Sequence, residues 1–265
     1  MEIGIHHTIE YAYSAPVRYA LQKVRLRPLS SSVQAVQDWS VEVSGGKIEA
    51  SYIDHYGNPT DLVSIIPGAQ VLSITVSGHV STLDATGVLG HVYGMAPLWH
   101  FQQPTPLTMA GDAIKALPRV SQDPDAKLGE LHDLSNAILA ALPYQSGGTG
   151  VDTPAEDAMQ GSHGVCQDHA QIFVSAARLS GLPARYVSGY LMMDDQVDQD
   201  ATHAWAEVCL PAIGWVGFDV SNGVSPDERY IRIAVGCDAR DAAPIKGLRM
   251  GAADETLMVS LQVQQ

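Results

Sequence analysis

Hydrophobic and polar positions follow two different patterns along the chain. Up to about residue 83, short stretches alternate apolar and polar side chains and are separated by turn residues. In WSVEVS, Trp39, Val41 and Val43 share one face, and the following Gly45-Gly46 pair is typical of a hairpin turn. Similar stretches are IGIHHTIEYAY, HYGNPTDLVSII and AQVLSITVSGHV. This pattern predicts an antiparallel β domain.

After a segment rich in Gly and Pro, the apolar spacing becomes helical. DAKLGELHDLSNAILAAL places Leu and Ile at intervals of three and four, which predicts a helix that ends at Pro143. A second helix is predicted from Cys166 to Gly181, followed by strands in PARYVSGYL and HAWAEVCLPAIGWVGFDVSNG. The sequence therefore predicts an α+β fold with two domains: residues 1–107, with a connection that begins near residue 84, and residues 108–265.

Charge and cysteine usage narrow the class of protein. The 15 basic and 29 acidic side chains give a net charge of −14, which disfavours nucleic acid and anionic membranes as partners. We find neither an apolar run of membrane-spanning length nor a signal-peptide pattern at the N-terminus. The three cysteines form no CxxC pair, which is typical of reduced thiols. We expect a cytoplasmic protein, and its oligomeric state stays open.

The stretch GSHGVCQDHA contains the candidate nucleophile. Cys166 falls at the start of a predicted helix, where unpaired N–H groups and the helix dipole favour a thiolate and could stabilise an oxyanion. A thiol nucleophile needs a base, and the base needs an orienting group. Strand alternation allows His203 and Asp219 to face one crevice. The three residues supply the roles of a thiol–imidazole–carboxylate triad.

Longer stretches around these residues resemble the bacterial transglutaminase-like superfamily. The core resemblance lies in GVCQDHAQIFVSAARLSGLPARYVSGYL, HAWAEVCLPAIGWVGFDVSNG and PDERYIRIAVGCDARDAAPIKG, and VRLRPLS and DHYGN resemble the N-terminal domain that commonly precedes that core. The resemblance implies a papain-like core, in which the helix carrying the cysteine packs on an antiparallel sheet. It also implies Cys166 as nucleophile, His203 as base and Asp219 as orienting carboxylate.

Five more residues are candidates for the substrate pocket. Tyr144 could supply a donor near the oxyanion, and His163 flanks the nucleophile where arginine is more usual in the family. Asp168 either stabilises the first helical turn or shapes the site entrance. Trp205 and Trp215 are either core aromatics or walls of the acyl pocket.

A metal site is the competing interpretation of the same motif. His163, Cys166 and His169 have a spacing that could suit zinc, but no second ligand pair lies nearby and a metal would consume the nucleophile. Cys209 and Cys237 are expected to be packing residues. We therefore expect no metal and no other cofactor.

The predicted activity is that of a cysteine-dependent protease or amidase, which cleaves a peptide or protein substrate through a thioester. Transfer of the acyl group to an amine, as in a transglutaminase, is the alternative, because both reactions share the chemistry up to the thioester. The bacterial members resemble hydrolases more than cross-linking enzymes, and the sequence lacks a D-x-D-x-D-G calcium loop. A non-catalytic protein-binding module is a more distant alternative.

Overall fold

The computed structural model describes residues 1–92, 94–121, 123, 127–193, 196–199, 201–250 and 254–265. Within these ranges the chain forms three antiparallel sheets and four α-helices, and none of the helices is long and apolar enough to cross a membrane. The helices are α1 (Asp112–Lys115), α2 (Lys127–Ala141), α3 (Ala155–Met159) and α4 (Cys166–Leu179), and a 3-10 helix spans Leu98–Gln102. The strands are β1 (Glu2–Tyr13), β2 (Tyr19–Val24), β3 (Gln34–Ser44), β4 (Gly46–Ile53), β5 (Pro59–Ile65), β6 (Val71–Thr82), β7 (Val88–Gly90), β8 (Ala184–Leu191), β9 (Asp198–Gln199), β10 (His203–Leu210), β11 (Gly214–Phe218), β12 (Tyr230–Gly236), β13 (Ile245–Met250) and β14 (Glu255–Gln264).

Two of the sheets build the N-terminal β region. Their strand orders are β3-β6-β1-β14-β9 and β13-β2-β5-β4. Alternate residues of β6, among them Leu72, Ile74 and Val76, are fully buried and share one apolar core with Val63 and Ile65 of β5. The two-residue period thus gives each sheet one apolar face, and the two faces pack together. The predicted antiparallel β region is confirmed.

The hairpin predicted at Gly45-Gly46 is wrong. β3 pairs with β6, whereas β4 pairs with β5 in the other sheet, so the chain changes sheets at this point. Gly45 has a φ of +71°, and a side chain there would overlap the main-chain oxygen of Val71. Glycine is therefore required for a crossing between sheets, and the pair does not form a two-residue turn.

The third sheet, ordered β12-β8-β10-β11-β7, supports the helix that carries the cysteine. α4 packs on β10 and β8, and Phe173 of α4 stacks on Phe218 of β11 with ring centroids 5.0 Å apart. The predicted apolar stripe of α4, which includes Ile172, is buried. The α+β class is confirmed, with the cysteine-bearing helix on an antiparallel sheet.

α4 is buried on its polar side as well, which a one-sided amphipathic pattern does not indicate. α2 and α3 pack against it from outside the sheet. Arg178 of α4 is buried, and its guanidinium donates to the carbonyl oxygens of Phe101, Ala184 and Cys237. These bonds compensate for the lost hydration of a buried cation. α4 is thus a central helix, and its first residue is held firmly in place.

Strands from the two halves of the chain cross the predicted boundary at residue 107. β7 lies in the Gly/Pro-rich connection and pairs with β11 of the third sheet. β13 and β14 lie near the C-terminus and pair with β2 and β1. The division into residues 1–107 and 108–265 stays a prediction, and each half contributes strands to the sheets of the other.

Candidate active site

Cys166 is the first residue of α4. Val165, the residue before it, is extended with φ −115° and ψ −179°, so the helix begins at the thiol-bearing residue. The N–H groups of a first helical turn have no partner within the helix and lie at the positive end of its dipole. The Cys166 side chain is partly exposed. A substrate carbonyl can therefore reach the sulfur and N–H donors at the same place.

Asp168 caps the N-terminus of α4. This residue is fully buried, and its Oδ2 accepts a hydrogen bond from the Val165 N–H at 2.8 Å and another from the Thr149 hydroxyl at 2.6 Å. The first bond satisfies a main-chain donor beside the helix terminus, and the second ties residues 147–150 to it. Of the two interpretations of Asp168, the structural one fits these contacts. The carboxylate holds the neighbouring loop and exposes no surface of its own.

His203 is the first residue of β10 and contacts Asp219. The His203 Nε2 atom lies 2.6 Å from Oδ2 of Asp219 and donates to it. The other ring nitrogen, Nδ1, is thereby left for Cys166, whose thiol interacts with the same imidazole. In the serine-protease triad the two nitrogens have the opposite assignment. The three predicted catalytic residues are brought together.

Asp219 directly follows β11 and is fully buried. Besides His203, its Oδ2 accepts from the side-chain amide of Asn222 and from the hydroxyl of Tyr230, both at 2.7 Å. Burial opposes ionisation of Asp219, but the bonds from His203, Asn222 and Tyr230 outweigh it and lower the pKa of the carboxyl. Asp219 is therefore an anion at neutral pH.

The His203 imidazole is held in its protonated form. Burial alone would lower its pKa, but hydrogen bonding and charge from Asp219 and Cys166 raise the pKa of His203 to about 10. The ring therefore carries a second proton at neutral pH. A leaving amine needs that proton when the bond to its carbonyl carbon breaks.

The two tryptophans predicted near the pocket occupy different places. Trp205 is buried, and its ring stacks on that of His203 with centroids 6.3 Å apart, so it supports the imidazole from behind. Trp215 pairs with Cys209, which lies six positions beyond His203 on β10 or roughly 20 Å along the strand. The ring of Trp215 instead lies under the Arg185 guanidinium at 3.7 Å. The structure does not bring Trp215 to the site.

Tyr144 and His163 flank residues 145–151 (QSGGTGV), a glycine-rich loop beside the nucleophile. Burial, followed by the charges of Cys166 and Asp219, raises the pKa of Tyr144, so its phenol near the nucleophile keeps its proton. The ring of His163 packs against Gly148, and its Nδ1 lies 2.9 Å from the Ser162 hydroxyl. Tyr144 is therefore a hydrogen-bond donor on which the charges of Cys166 and Asp219 act, and His163 contacts the loop.

His169, the third residue of the zinc interpretation, is engaged on both sides. Its Nε2 donates to the carbonyl oxygen of Leu142 at 2.7 Å, and its Nδ1 lies 2.8 Å from the Ser221 hydroxyl. Burial lowers the pKa of His169, which keeps the ring neutral. Neither nitrogen has a free lone pair for a metal shared with Cys166. The contact with Ser221 instead ties the turn after Asp219 to α4.

Sequence reasoning missed two partners of this site, Ser221 and Tyr230. Ser221 and Asn222 follow Asp219 in the SNG turn, where such side chains commonly bond back to the chain, so a local signal existed. No local signal marked Tyr230, because it lies on β12 and its hydroxyl reaches Asp219 only through the tertiary structure.

Family comparison agrees with the geometry. Residues 115–220 match the Transglutaminase-like superfamily, and residues 3–81 match the Bacterial transglutaminase-like N-terminal region. The first match contains Cys166, His203 and Asp219. The second covers most of the two N-terminal sheets.

Similar proteins match along nearly their whole length. An uncharacterized protein of Mycobacterium leprae is 28% identical over 277 residues, which cover 97% of this chain and 96% of that protein. An uncharacterized protein of Mycobacterium tuberculosis strain H37Rv is 29% identical over 273 residues, with 92% and 86% covered. The crystal structure of a candidate cysteine protease from Cytophaga hutchinsonii has a TM-score of 0.76 at 22% identity, covering 100% of this chain and 91% of that one. That likeness shows a shared fold.

Proposed function

We propose that this protein, a transglutaminase-like core preceded by a bacterial transglutaminase-like N-terminal region, is a cysteine-dependent hydrolase of amide or peptide bonds. The observation that carries the proposal is the arrangement of Cys166, His203 and Asp219. A partly exposed thiol at a helix start faces an imidazole whose other nitrogen is fixed by a buried carboxylate. Every role of a thiol triad is filled by a residue in contact with the next.

The first half of the reaction acylates the enzyme. The thiol proton of Cys166 passes to Nδ1 of His203, the sulfur attacks the substrate carbonyl carbon, and the bond from that carbon to nitrogen breaks. The leaving amine takes the proton from Nδ1 of His203, while Asp219 keeps the ring oriented through Nε2. A thioester on Cys166 and a free amine result.

The second half releases the acyl group. Nδ1 of His203, now without its proton, accepts one from water as the water oxygen attacks the thioester carbonyl carbon. The carbon–sulfur bond breaks, a carboxylic acid leaves, and Cys166 and His203 return to their starting states. In both halves, N–H groups of the first turn of α4 and the Tyr144 hydroxyl support the oxyanion.

We further propose a peptide or protein as substrate and the cytoplasm as location. A partly exposed nucleophile suits a chain that lies across the molecular surface, whereas a small metabolite usually enters an enclosed pocket. The three free cysteines suit a reducing compartment.

The test is incubation with a peptide library, followed by mass spectrometry, with and without an added primary amine. Cleaved peptides in both conditions support hydrolysis, whereas amine adducts formed at the expense of cleavage support acyl transfer. Recovery of every peptide unchanged, with binding to the protein, supports the non-catalytic module.

The matched control for this test is a second cysteine substitution. Cys166→Ala is expected to abolish cleavage, whereas Cys209→Ala removes a buried thiol from β10 and is expected to retain it. Cleavage by Cys166→Ala at the native rate would refute the proposed nucleophile.

A further inference from the structure

The outer edge of the catalytic sheet is held by side-chain amides of the N-terminal region. β12 is an edge strand of this sheet. The Gln34 amide accepts from the Arg232 N–H at 2.8 Å and donates to the Arg232 carbonyl at 3.0 Å. The Asn58 amide makes the same pair of bonds with Val235, both at 2.8 Å. Each amide thus bonds to β12 as a residue of a neighbouring strand would.

A third contact lies on the other side of Tyr230, the first residue of β12. The Thr82 hydroxyl donates to the carbonyl oxygen of Glu228. Glu228 is two residues before Tyr230, and Arg232 is two residues after it. Side chains of the N-terminal region therefore fix the main chain on both sides of the tyrosine.

Tyr230 transmits this placement to the catalytic carboxylate. Its hydroxyl donates to Oδ2 of Asp219 at 2.7 Å, the same oxygen that accepts from His203. Burial raises the pKa of Tyr230, so the phenol keeps its proton and remains a donor. The Tyr230 ring also packs edge-on against Trp205, the residue behind the imidazole.

We propose that the N-terminal region is a positioning element of the active site, because Thr82 and Gln34 fix the strand that holds Tyr230 on Asp219. Tyr230 is then a positioning residue for Asp219, and Gln34 is a positioning residue for Tyr230. The inference rests on the proposed function in one respect only, since it presumes that Asp219 orients the base of a reactive thiol. It assigns to the bacterial N-terminal region a part in the chemistry.

Titratable groups from several elements interact with the Asp219 carboxylate. His203 from β10 and Tyr230 from β12 donate to it directly. The charge of Asp219 also acts on His169 of α4 and on Tyr144 beside the nucleophile. Of these groups, Tyr230 can lose its bond to Asp219 in a conservative substitution that leaves the thiol and imidazole in place.

The experiment measures the rate of Cys166 alkylation by iodoacetamide as a function of pH, which needs no substrate. Tyr230→Phe removes a bond that fixes the Asp219 carboxylate against His203, so the carboxylate is less well positioned and supports the imidazolium less well. We expect the acidic limb of the alkylation profile to move upward by up to roughly one pH unit, the scale of one hydrogen bond to a charged group. A profile that coincides with that of the parent protein would overturn the role of Tyr230.

Gln34→Ala and Asn58→Ala separate positioning from general stability. Both residues are 4% exposed, and each substitution removes an amide pair with β12, so both are expected to lower the melting temperature. Gln34 bonds to β12 two residues from Tyr230, whereas Asn58 bonds five residues from it, so only Gln34→Ala should move the acidic limb, in the same direction as Tyr230→Phe and by less. Combined with Tyr230→Phe, Gln34→Ala should add no further shift.

Equal shifts in the two alanine variants, or no shift in Gln34→Ala, would overturn the role of the N-terminal region. If Gln34→Ala does not fold, Thr82→Val removes the hydroxyl bond to the Glu228 carbonyl oxygen without adding a charge and tests the same role. Failure of the hydrolase proposal appears separately, as uncleaved peptides from a protein whose Cys166 is alkylated with the expected pH profile.

Discussion

Two buried ionic clusters lie on the same face of β10, four positions apart. The first joins His203 to Asp219, and the second joins Glu207 to Arg185 at 2.6 Å and to Arg232 at 2.7 Å. Burial opposes ionisation of Glu207, but the two arginines lower its pKa to about 2. Both clusters therefore hold charges whose pKa values are far from their ordinary range, and only one of them lies at the partly exposed thiol of Cys166.

The clusters differ in whether one hydrogen-bonding atom is left without a partner inside the ion pair. Both oxygens of Glu207 are taken by guanidinium groups, and the carboxylate is 3% exposed. His203 uses Nε2 for Asp219 and keeps Nδ1 for Cys166, whose side chain is partly exposed. Perturbed pKa values alone do not distinguish a structural ion pair from a catalytic one. The two are distinguished by whether a nitrogen or oxygen atom of the pair is free to transfer a proton to an accessible group.

Asp219→Asn should have the largest effect on turnover. The substitution keeps the shape of the side chain but removes its charge, and an amide can favour the wrong imidazole tautomer. We expect kcat/KM on a cleaved peptide to fall by a factor on the order of 10⁴ if the serine-triad precedent transfers. The loss is smaller if the thiolate–imidazolium pair forms without the carboxylate.

A thermal melt is the control for this variant. The introduced amide can still bond to its neighbours, so the folded state should survive. A folded Asp219→Asn protein with near-native kcat/KM would mean that another group, such as Asn222, orients His203.

Glu207→Gln should lower the free energy of unfolding strongly and kcat/KM only slightly. The change leaves two buried arginines short of one negative charge, and breaking a buried ion pair from one side costs about 3–5 kcal/mol. The free energy of unfolding in urea should fall by that order, while kcat/KM of the folded fraction changes far less than in Asp219→Asn. A loss of turnover comparable to that of Asp219→Asn would erase the distinction between the clusters.

The sequence predicted the proximity of Cys166, His203 and Asp219 better than it predicted the side chains around them. Cys166 precedes a regular helical pattern, and His203 and Asp219 lie in strands with clear two-residue alternation or directly after one, so the local pattern allowed the three to meet and the family resemblance implied their roles. Trp215 obeyed the same alternation, yet strand register puts it far from His203. Register, like the path of the chain at Gly45, depends on which strands pair and leaves no mark in a short window of sequence.

Alkylation by iodoacetamide tests whether Cys166 is more accessible and more reactive than the two buried cysteines. Burial raises the pKa of Cys209 and that of Cys237, and the two thiols are 8% and 3% exposed. Cys166 is partly exposed beside His203, so brief labelling and peptide mapping should find it alkylated roughly 100-fold faster. Equal labelling of all three thiols in the folded protein would contradict the active-site assignment.

The two clusters should lose their stabilisation at opposite ends of the pH scale. The pKa of His203 is raised, so its contribution is complete below about pH 6.5 and is lost as the pH rises towards about 10. The pKa of Glu207 is lowered, so its contribution is complete above about pH 4.5 and is lost as the pH falls towards about 2. Urea unfolding of His203→Gln and Glu207→Gln against the parent should show these windows, with at most about 1.4 kcal/mol per pH unit. Windows in the reverse order would refute both assignments of charge.

A chelator should have the smallest effect, namely none on peptide cleavage. Zinc bound to Cys166 would need His169 as a ligand, but Leu142 and Ser221 occupy its two ring nitrogens, and freeing either would leave a buried polar group unpaired. A metal on the sulfur would also remove the nucleophile on which the thioester depends. We therefore expect equal rates before and after treatment with EDTA. Loss of activity that zinc restores would show that His169 turns to Cys166, and the base would then have to be sought elsewhere than at His203.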